Sequence, residues 1–313
     1  MKLKHVISTR QFLDAQILED LFQLADEMEE HVITKDRIPL LEGKIMASVF
    51  YEESTRTRLS FEAAMYKLGG NVITTENAKQ FSSAAKGESL EHTVRVIGCY
   101  SDVIVLRYFE QGSAERAVAV SEVPIINAGD GPGEHPTQAL LDAYTLKKEF
   151  GRIDGLKIAM VGDLKYGRTI HSLSQLLTLY KNIELFLVSP PQLRLQEEYK
   201  TYLIKKNLKF REVVDLDYVL ERVDAVYMTR IQKKRFSSKQ AFQELKGYYR
   251  LTNEKVDKMH KNARVLHPLP IDSEDPETAE IAAEVDNNSR AAYFRQAKNG
   301  LYIRMALLQM ILG

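Results

Sequence analysis

Ser54-Thr55-Arg56-Thr57-Arg58 lies between an apolar run, Ile45–Tyr51, and a stretch with helical spacing of its apolar residues, Thr57–Leu68. The run predicts a buried strand, and the stretch predicts a helix. The N-terminus of a helix presents unpaired N–H groups and the positive end of the helix dipole, which together bind phosphate. Arg56 adds a forked guanidinium that matches phosphate oxygens. Capping by Ser54 or Thr55 would explain one hydroxyl group but not the arginines, so we interpret Ser54–Arg58 as an anion site.

The same succession of strand, turn and helix runs along most of the chain. Strands are predicted at Ile45–Tyr51, Val72–Thr74, Val103–Leu106, Ile125–Asn127, Lys157–Val161, Glu184–Val188, Ala225–Met228 and Val265–His267. Helices are predicted at Ala15–Glu30, Thr57–Leu68, Leu90–Tyr100, Ala114–Val120, Pro136–Phe150, Thr169–Tyr180, Gln196–Lys206 and Ala291–Ile311. Strands that alternate with helices in this way indicate the α/β class, with parallel sheets covered by helices on both faces.

The length of 313 residues is typical of two packed domains. Gly151 and Gly155 interrupt the chain after the long helix Pro136–Phe150, and a second alternation of strands and helices begins there. We therefore predict two doubly wound parallel-sheet domains, one at 1–150 and the other at 151–290. We expect the last helix, at about 291–313, to pack back on the first domain, so that helices join the two.

Composition excludes several classes of protein. Lys plus Arg and Asp plus Glu are both 43, so the net charge of zero provides no overall field for nucleic acid or an anionic membrane. The first ten residues do not read as a signal peptide, and the apolar runs are too short to span a bilayer. With one cysteine the chain forms no internal disulfide, and we expect a cytoplasmic protein. Cys99 lies in an apolar helical stretch, which predicts a buried, inert thiol.

Four further turns present polar groups where predicted strands end. They are the glycine-rich segment Asn127–Gln138 with His135-Pro136-Thr137-Gln138, then Gly162–Arg168, Arg230-Ile231-Gln232 and His267-Pro268-Leu269-Pro270. Ligands of open α/β sheets bind at this edge. His135 would be explained equally by helix capping, but its glycine-rich neighbourhood favours a ligand contact. Arg168 and Arg230 favour a carboxylate ligand, because Gly162–Arg168 lacks the G-x-G-x-x-G spacing of a dinucleotide loop.

Several catalytic patterns are missing from the sequence. We find no H-E-x-x-H, no C-x-x-C and no cluster of carboxylates, so no metal site is expected. A G-x-S-x-G turn is also missing. Two long polar loops, Glu76–Glu88 and Arg230–Tyr249, carry lysines that for the most part are typical of solvated surface. Loops of this length in α/β enzymes also form lids.

Taken together, these motifs resemble those of the aspartate/ornithine carbamoyltransferase family, and specifically its aspartate branch. Ser54–Arg58 is similar to the family's carbamoyl phosphate motif, and His135–Gln138 to its H-P-x-Q motif. Gly162–Arg168, Arg230-x-Gln232 and His267–Pro270 look like the aspartate-side motifs, and the resemblance covers nearly the whole chain. It implies a carbamoyltransferase fold without a cofactor. It also implies transfer of the carbamoyl group of carbamoyl phosphate to L-aspartate, giving N-carbamoyl-L-aspartate and phosphate in pyrimidine biosynthesis.

The resemblance also implies roles for individual residues. Carbamoyl phosphate would be bound by Ser54, Thr55, Arg56, Thr57, Arg107, His135 and Gln138, of which Arg56, Thr57, Arg107 and His135 would act in catalysis. Aspartate would be bound by Lys86, Arg168, Arg230 and Gln232, with the backbone of Pro268 and Leu269 receiving its amino group. The family is a homotrimer with shared active sites, to which Ser82 and Lys86 of a neighbouring subunit would contribute. Domain closure would use Glu52, Arg168 and Arg235.

The chain departs from the family pattern in three places, and two other interpretations remain open. Ile271 stands where an arginine is usual, Gln240 stands where an acidic residue is familiar, and the acidic stretch Asp272–Glu280 looks lengthened. These departures concern cooperativity and domain closure. One alternative is an ornithine or other amino-acid carbamoyltransferase, although Arg230-x-Gln232 favours a dicarboxylate. The other is a non-catalytic anion- or nucleotide-binding α/β protein. Regulatory chains are possible partners that leave no mark in the sequence.

Overall fold

The computed structural model describes residues 3–34, 39–78, 87–131, 133–231, 245, 247–272, 275 and 278–313. The chain forms two compact units, one of Met1–Tyr144 with Ala297–Gly313 and the other of Thr145–Gln296. We call them unit 1 and unit 2. Two helices, Pro136–Phe150 and Tyr293–Leu312, contain the points of division. Five residues named above lie outside the described residues: Ser82, Lys86, Gln232, Arg235 and Gln240.

Unit 1 is built on a parallel sheet with the strand order β2-β1-β3-β4. The strands are β1 (Ile45–Phe50), β2 (Asn71–Glu76), β3 (Val103–Tyr108) and β4 (Ile125–Asp130). The apolar run of β1 is buried along almost its whole length because β1 is an interior strand with helices on its faces, whereas the edge strand β2 is largely exposed. The helices are α1 (Ala15–Thr34), α2 (Thr55–Lys67), α3 (Leu90–Gly98), α4 (Ser113–Val120) and the first part of α5 (Pro136–Phe150).

Unit 2 is built on a second parallel sheet with the order β7-β6-β5-β8-β9. The strands are β5 (Lys157–Val161), β6 (Glu184–Val188), β7 (Lys209–Val213), β8 (Ala225–Met228) and β9 (Arg264–Leu266). The helices are α6 (Arg168–Leu177), α7 (Glu197–Lys205), α8 (Leu216–Leu220), α9 (Asn253–Asp257) and the start of α10 (Tyr293–Leu312). The two parallel sheets confirm the predicted α/β class. Strand β7 escaped prediction because this polar edge strand buries none of its residues fully.

The C-terminal helix α10 belongs to unit 1 from Ala297 onward. Its end is tied to the beginning of the chain, where Leu3 N donates to Met310 O over 2.9 Å. A Cβ atom added at Gly300 would lie 3.1 Å from the Leu141 side chain, so the absence of a side chain lets α10 approach α5 closely. Alongside α5, the helix completes one side of the core of unit 1.

Three other observations bear on the sequence predictions. Cys99 is exposed, not buried as predicted, because it follows the last turn of α3 and points away from the apolar face carrying Leu90 and Val94. Strand β4 extends to Asp130, so the glycine-rich segment begins later than the sequence suggests. Among the described residues, no helix combines the length and apolar character needed to cross a membrane.

Candidate functional site

The N-terminus of α2 follows β1 directly and is not capped by the serine beside it. Ser54 stands at the N-cap position, but its side chain accepts no hydrogen bond from the helix. Thr55 and Arg56 are exposed at the first turn, and Thr57 is buried, with 6% of its surface exposed. Helix capping therefore does not account for the hydroxyl group of Ser54. The N–H groups of the first turn and the exposed Arg56 together form a binding place for an anion.

The two arginines of the motif have different surroundings. The guanidinium of Arg58 lies 2.8 Å from a carboxylate oxygen of Glu76 and 3.4 Å from one of Glu62. Glu62 also accepts from the hydroxyl groups of Ser48 and Thr74, which fixes it against β1 and β2. Arg58 thus fastens α2 to the sheet. Arg56 is therefore the arginine that α2 contributes to the anion site.

Arg107 stands at the end of β3, between the ends of β1 and β4. Its Nη1 atom donates to Ser54 Oγ over 3.3 Å and to Ala128 O over 3.4 Å, so one side chain contacts both the segment that follows β1 and the strand β4. Its Nε atom lies 3.6 Å from a carboxylate oxygen of Glu52. Within unit 1, therefore, Glu52 is a partner of Arg107.

Burial makes the charge of Arg107 costly unless an anion lies beside it. Its side chain is 14% exposed. Burial lowers the pKa of Arg107, the carboxylate of Glu52 opposes this effect, and the nearby charge of Arg56 lowers the pKa further. Two neighbouring cations, one of them largely removed from water, are stabilised by an anion that both can contact. The end of this sheet is therefore suited to phosphate or another small oxyanion.

The His135–Gln138 segment opens helix α5 next to this edge of the sheet. The backbone oxygen of His135 accepts from the N–H groups of Gln138 and Ala139, and Pro136 is the first helical residue. The side chains of His135, Thr137 and Gln138 are all buried. The amide Nε2 of Gln138 donates to Asp142 Oδ1 over 2.8 Å. Asp142 escaped the sequence prediction, although its position one helical turn after Gln138 is a readable signal.

In unit 2, the turns after β5 and β8 lie side by side because those strands are neighbours. Gly162 has φ +115°, and a Cβ atom there would be 2.4 Å from the oxygen of Thr229, so only glycine permits this approach. Arg230 follows Thr229 and lines a depression together with Gly162, Tyr248, Asp272 and Glu280. Arg168, the first residue of α6, is partly exposed and is not among the residues that line it. Among the described residues that line the depression, Arg230 offers a guanidinium to an anionic ligand.

The His267–Pro270 turn after β9 is held by its own hydrogen bonds. Leu269 N donates to His267 Nδ1 over 2.7 Å, so the proton of the neutral ring is on Nε2, which lies 2.9 Å from Glu280 Oε1. Asp272 N donates to Glu280 Oε2 over 3.2 Å. Leu269 has a positive φ of 55°, and Ile271 packs against the apolar core of the unit. The turn therefore presents backbone groups of Pro268 and Leu269 on a fixed scaffold.

Glu280 is a second residue that the sequence interpretation missed. Burial by itself raises the pKa of Glu280, but the hydrogen bond from His267, with the N–H of Asp272, holds that pKa below its ordinary value. The sequence showed only a lengthened acidic stretch, in which nothing separates this buried carboxylate from its exposed neighbours. In the part of the chain that is described, no three His, Cys, Asp or Glu side chains are grouped as metal ligands.

Models of known families match both units. The model "Aspartate/ornithine carbamoyltransferase, carbamoyl-P binding domain" matches residues 4–148, and the model "Aspartate/ornithine carbamoyltransferase, Asp/Orn binding domain" matches residues 154–311. The first covers the turn with Arg56 and the segment with His135. The second covers the turns with Arg230 and His267.

Individual relatives are similar over nearly the whole chain. Aspartate carbamoyltransferase 1, chloroplastic, from Pisum sativum is 51% identical over 312 residues, which are 99% of this chain and 79% of that protein. The aspartate carbamoyltransferase catalytic subunit of Methanocaldococcus jannaschii is 50% identical over 310 residues, 99% of this chain and 98% of that one. The solved structure of aspartate transcarbamoylase from Trypanosoma cruzi with carbamoyl phosphate and aspartate has a TM-score of 0.92 and 38% identity, covering 100% of this chain and 98% of that one.

Proposed function

The chain belongs to the aspartate/ornithine carbamoyltransferase family, and from this premise we propose how its residues divide the work of the reaction. The reaction is transfer of the carbamoyl group of carbamoyl phosphate to the amino group of L-aspartate, which gives N-carbamoyl-L-aspartate and phosphate. It is a step of pyrimidine biosynthesis. The observation that carries the assignment of residues is Arg107, whose guanidinium contacts both Ser54 and Ala128.

Unit 1 binds carbamoyl phosphate in this proposal. The phosphate lies on the first turn of α2, where Ser54, Thr55 and Thr57 supply hydroxyl donors and Arg56 supplies a guanidinium. Arg107 contacts the carbamoyl oxygen from the end of β3, and His135 and Gln138 contact the carbamoyl group from the N-terminus of α5. The largely buried Arg107 supports this arrangement, because a buried cation needs an anionic partner.

Unit 2 binds aspartate in this proposal. Arg230 binds one carboxylate in the depression that it lines, and Arg168 and Gln232 bind the other parts of the dicarboxylate. The backbone of Pro268 and Leu269 receives the amino group. The hydrogen bonds of His267 support a backbone role for this turn, because its ring is engaged by Leu269 N and Glu280.

The chemistry needs no protein nucleophile. The neutral amine of aspartate attacks the carbamoyl carbon, and the carbamoyl oxygen gains negative charge as the tetrahedral centre forms. Thr57, Arg107 and His135 donate to that oxygen, and each such donor contributes roughly 3–4 kcal/mol to transition-state stabilisation. Phosphate leaves with its charge stabilised by the N-terminus of α2 and by Arg56, and it takes the proton of the amine. Much of the acceleration comes from holding two anions in attack geometry.

The functional assembly in this proposal is a homotrimer whose neighbouring subunits contribute Ser82 and Lys86. Large apolar side chains exposed on unit 1 support it. They are Ile33, Leu40, Leu59, Tyr66, Ile73, Val96 and Tyr100. Exposed apolar surface of this kind is typical of protein interfaces. The native mass is expected to be about three times the subunit mass of 35.8 kDa.

Mixing two inactive variants tests the shared sites. Lys86→Ala subunits mixed with Arg107→Ala subunits form some sites that contain both wild-type residues, so activity returns on mixing. Each variant mixed with itself is the control and stays inactive. A mixture that forms mixed trimers but regains no activity contradicts the contribution of Lys86 from a neighbour.

We further propose that the protein acts in the cytoplasm. The single, exposed Cys99 is compatible with a reducing compartment. Cell fractionation with an antibody to the chain tests this, and its recovery with membranes or in the medium contradicts it.

The matched pair Arg56→Ala and Arg58→Ala tests the assignment of the phosphate site. Both arginines lie on the first turns of α2, but Arg58 is engaged by Glu62 and Glu76. Colorimetric measurement of carbamoyl-aspartate is expected to show a loss of at least a hundredfold in turnover for Arg56→Ala, roughly the effect of one strong transition-state donor. Arg58→Ala is expected to retain turnover within a few-fold. Near-normal turnover of Arg56→Ala contradicts the assignment, and ornithine in place of aspartate is expected to give no product.

A further inference from the structure

Asp142 is a buried carboxylate that none of the steps above uses. It lies one helical turn after Gln138 on α5, and its side chain has no exposed surface. Its Oδ1 atom accepts from the amide nitrogen of Gln138 over 2.8 Å, and this hydrogen bond is itself buried. A carboxylate without water as a partner needs hydrogen bonds and a cation to remain ionised in the interior.

Arg304, on α10, supplies that cation. It is 4% exposed, and burial lowers the pKa of Arg304 to about 10 while the charge of Asp142 acts in the opposite direction. The guanidinium therefore stays positive at neutral pH beside the carboxylate. It also lies over the ring of Phe61 on α2, with 5.2 Å between the guanidinium carbon and the ring centroid. The cation whose charge acts on Asp142 thus also contacts the proposed phosphate-binding helix.

The chemistry of the two side chains fixes the orientation of the Gln138 amide. An ionised carboxylate only accepts hydrogen bonds, so the NH₂ group of Gln138 must face Asp142. The carbonyl oxygen of Gln138 then faces the other way and acts only as an acceptor. The NH₂ group of carbamoyl phosphate is a donor and complements this oxygen, whereas acetyl phosphate carries a methyl group in the same place.

We propose that Asp142 is a positioning residue, which with Arg304 orients the amide of Gln138 so that the enzyme selects carbamoyl phosphate over acetyl phosphate. The proposal rests on the function assigned above to Gln138. The selection follows from a polar group that the carbamoyl ligand satisfies and the acetyl ligand leaves without a partner.

Asp142→Asn tests the proposal with almost no change in volume. The amide introduced by this substitution can donate to the oxygen of Gln138, which lets the Gln138 amide turn and present its NH₂ group to the ligand. The KM for carbamoyl phosphate is expected to rise about tenfold, the effect of one lost hydrogen bond, while the Ki of acetyl phosphate as a competitor stays within about twofold. The ratio of the Ki of acetyl phosphate to the KM for carbamoyl phosphate therefore falls about tenfold. Glu149→Gln, which alters a carboxylate on the same helix that pairs with Arg264 and Arg295, is the control and leaves the ratio unchanged.

The ratio separates positioning from a general structural role. A merely structural effect raises the KM for carbamoyl phosphate and the Ki of acetyl phosphate in parallel, and that result overturns the proposal. If Asp142→Asn alone fails to fold, the double variant Asp142→Asn/Arg304→Gln removes both buried charges together and is expected to show the same tenfold change. An unchanged ratio in a folded variant overturns the proposal as well. Absence of carbamoyl-aspartate from the wild-type enzyme would instead refute the proposed function.

Discussion

His135 and His267 each stand at the carboxyl end of a parallel sheet, each precedes a proline, and only His135 opens a helix. The carbonyl of His135 begins the hydrogen-bonding of α5, so Pro136 is placed where a helix tolerates it. His267 enters a turn in which both of its ring nitrogens are engaged, one by Leu269 N and the other by Glu280. The dipeptide His-Pro thus begins a helix in unit 1 and stabilises a loop in unit 2.

The comparison teaches that local hydrogen bonding, not the His-Pro sequence, decides whether a polar side chain is available to a ligand. The ring of His267 is engaged by the backbone and by a carboxylate, so the turn offers its peptide groups. In unit 1 two glutamates engage Arg58, whereas Arg56 is exposed at the first turn of α2. Ser89 caps α3, whereas Ser54 makes no capping bond and accepts from Arg107 instead. Each pair can be tested by the same substitution at both members.

The largest effects are expected for the two histidines. His135→Ala removes a proposed donor to the developing oxyanion, so kcat falls roughly a hundredfold to a thousandfold. His267→Ala leaves the Leu269 N–H and the buried Glu280 carboxylate without their partner, which lowers the free energy of unfolding by about 3 kcal/mol. Initial rates and urea unfolding of both variants measure the two quantities.

The reverse pattern would break the comparison. If His135→Ala were the less stable protein and His267→Ala the less active one at saturating aspartate, the roles given to the two turns would have to be exchanged. His267→Gln serves as the matched control, because its amide can restore one of the two lost hydrogen bonds and so recovers part of the stability.

Much of the fold could be predicted from the sequence because its interior strands are buried on both faces. The runs at β1, β5, β6 and β8 are predominantly apolar, and their predicted bounds agree with the structure to within one residue. The edge strand β7 could not be predicted, because neither an apolar run nor an alternation marks a polar edge strand. Cys99 was mistaken for a buried residue because an apolar neighbourhood in sequence does not fix which face of the helix a residue occupies.

For the candidate sites, the residues at the ends of strands could be predicted. The residues that form hydrogen bonds to site residues were not predicted. Arg107 and Arg230 follow apolar runs that mark the sheet edge, so their position is readable. Asp142 could have been found from its position one helical turn after Gln138, but the contact of Glu280 with His267 depends on tertiary structure across a separation of 13 residues. The predicted roles of the site residues, those of Gln232, Lys86 and Ser82 included, stay predictions.

A smaller effect is expected from Glu280→Gln. The pKa of Glu280 in the folded protein lies below its ordinary value of 4.5, so its stabilising effect is complete above that value and is lost as pH falls through the folded-state pKa. The variant is expected to lose about 1–3 kcal/mol of unfolding free energy at pH 7, and its stability should then fall less steeply than the wild type's in acid. Urea unfolding at about pH 7 and about pH 4 measures both. Glu254→Gln, which alters an exposed carboxylate, is the control. If the unfolding free energies of Glu280→Gln and of wild type fell equally steeply in acid, that result would contradict the stabilising role given to Glu280.

The smallest effects are expected for the two serines, and they sharpen the comparison most. Ser89 accepts from His92 N over 3.2 Å, so Ser89→Ala is expected to lower the free energy of unfolding by about 1 kcal/mol without changing the KM for carbamoyl phosphate. Ser54 makes no capping bond, so Ser54→Ala should cost less than about 0.5 kcal/mol. Because its hydroxyl accepts from Arg107, the same change should raise that KM several-fold. Urea unfolding measures the change in stability, and initial rates at varied carbamoyl phosphate measure the change in KM. If Ser54→Ala lost as much unfolding free energy as Ser89→Ala and left the KM unchanged, Ser54 would be an ordinary helix cap.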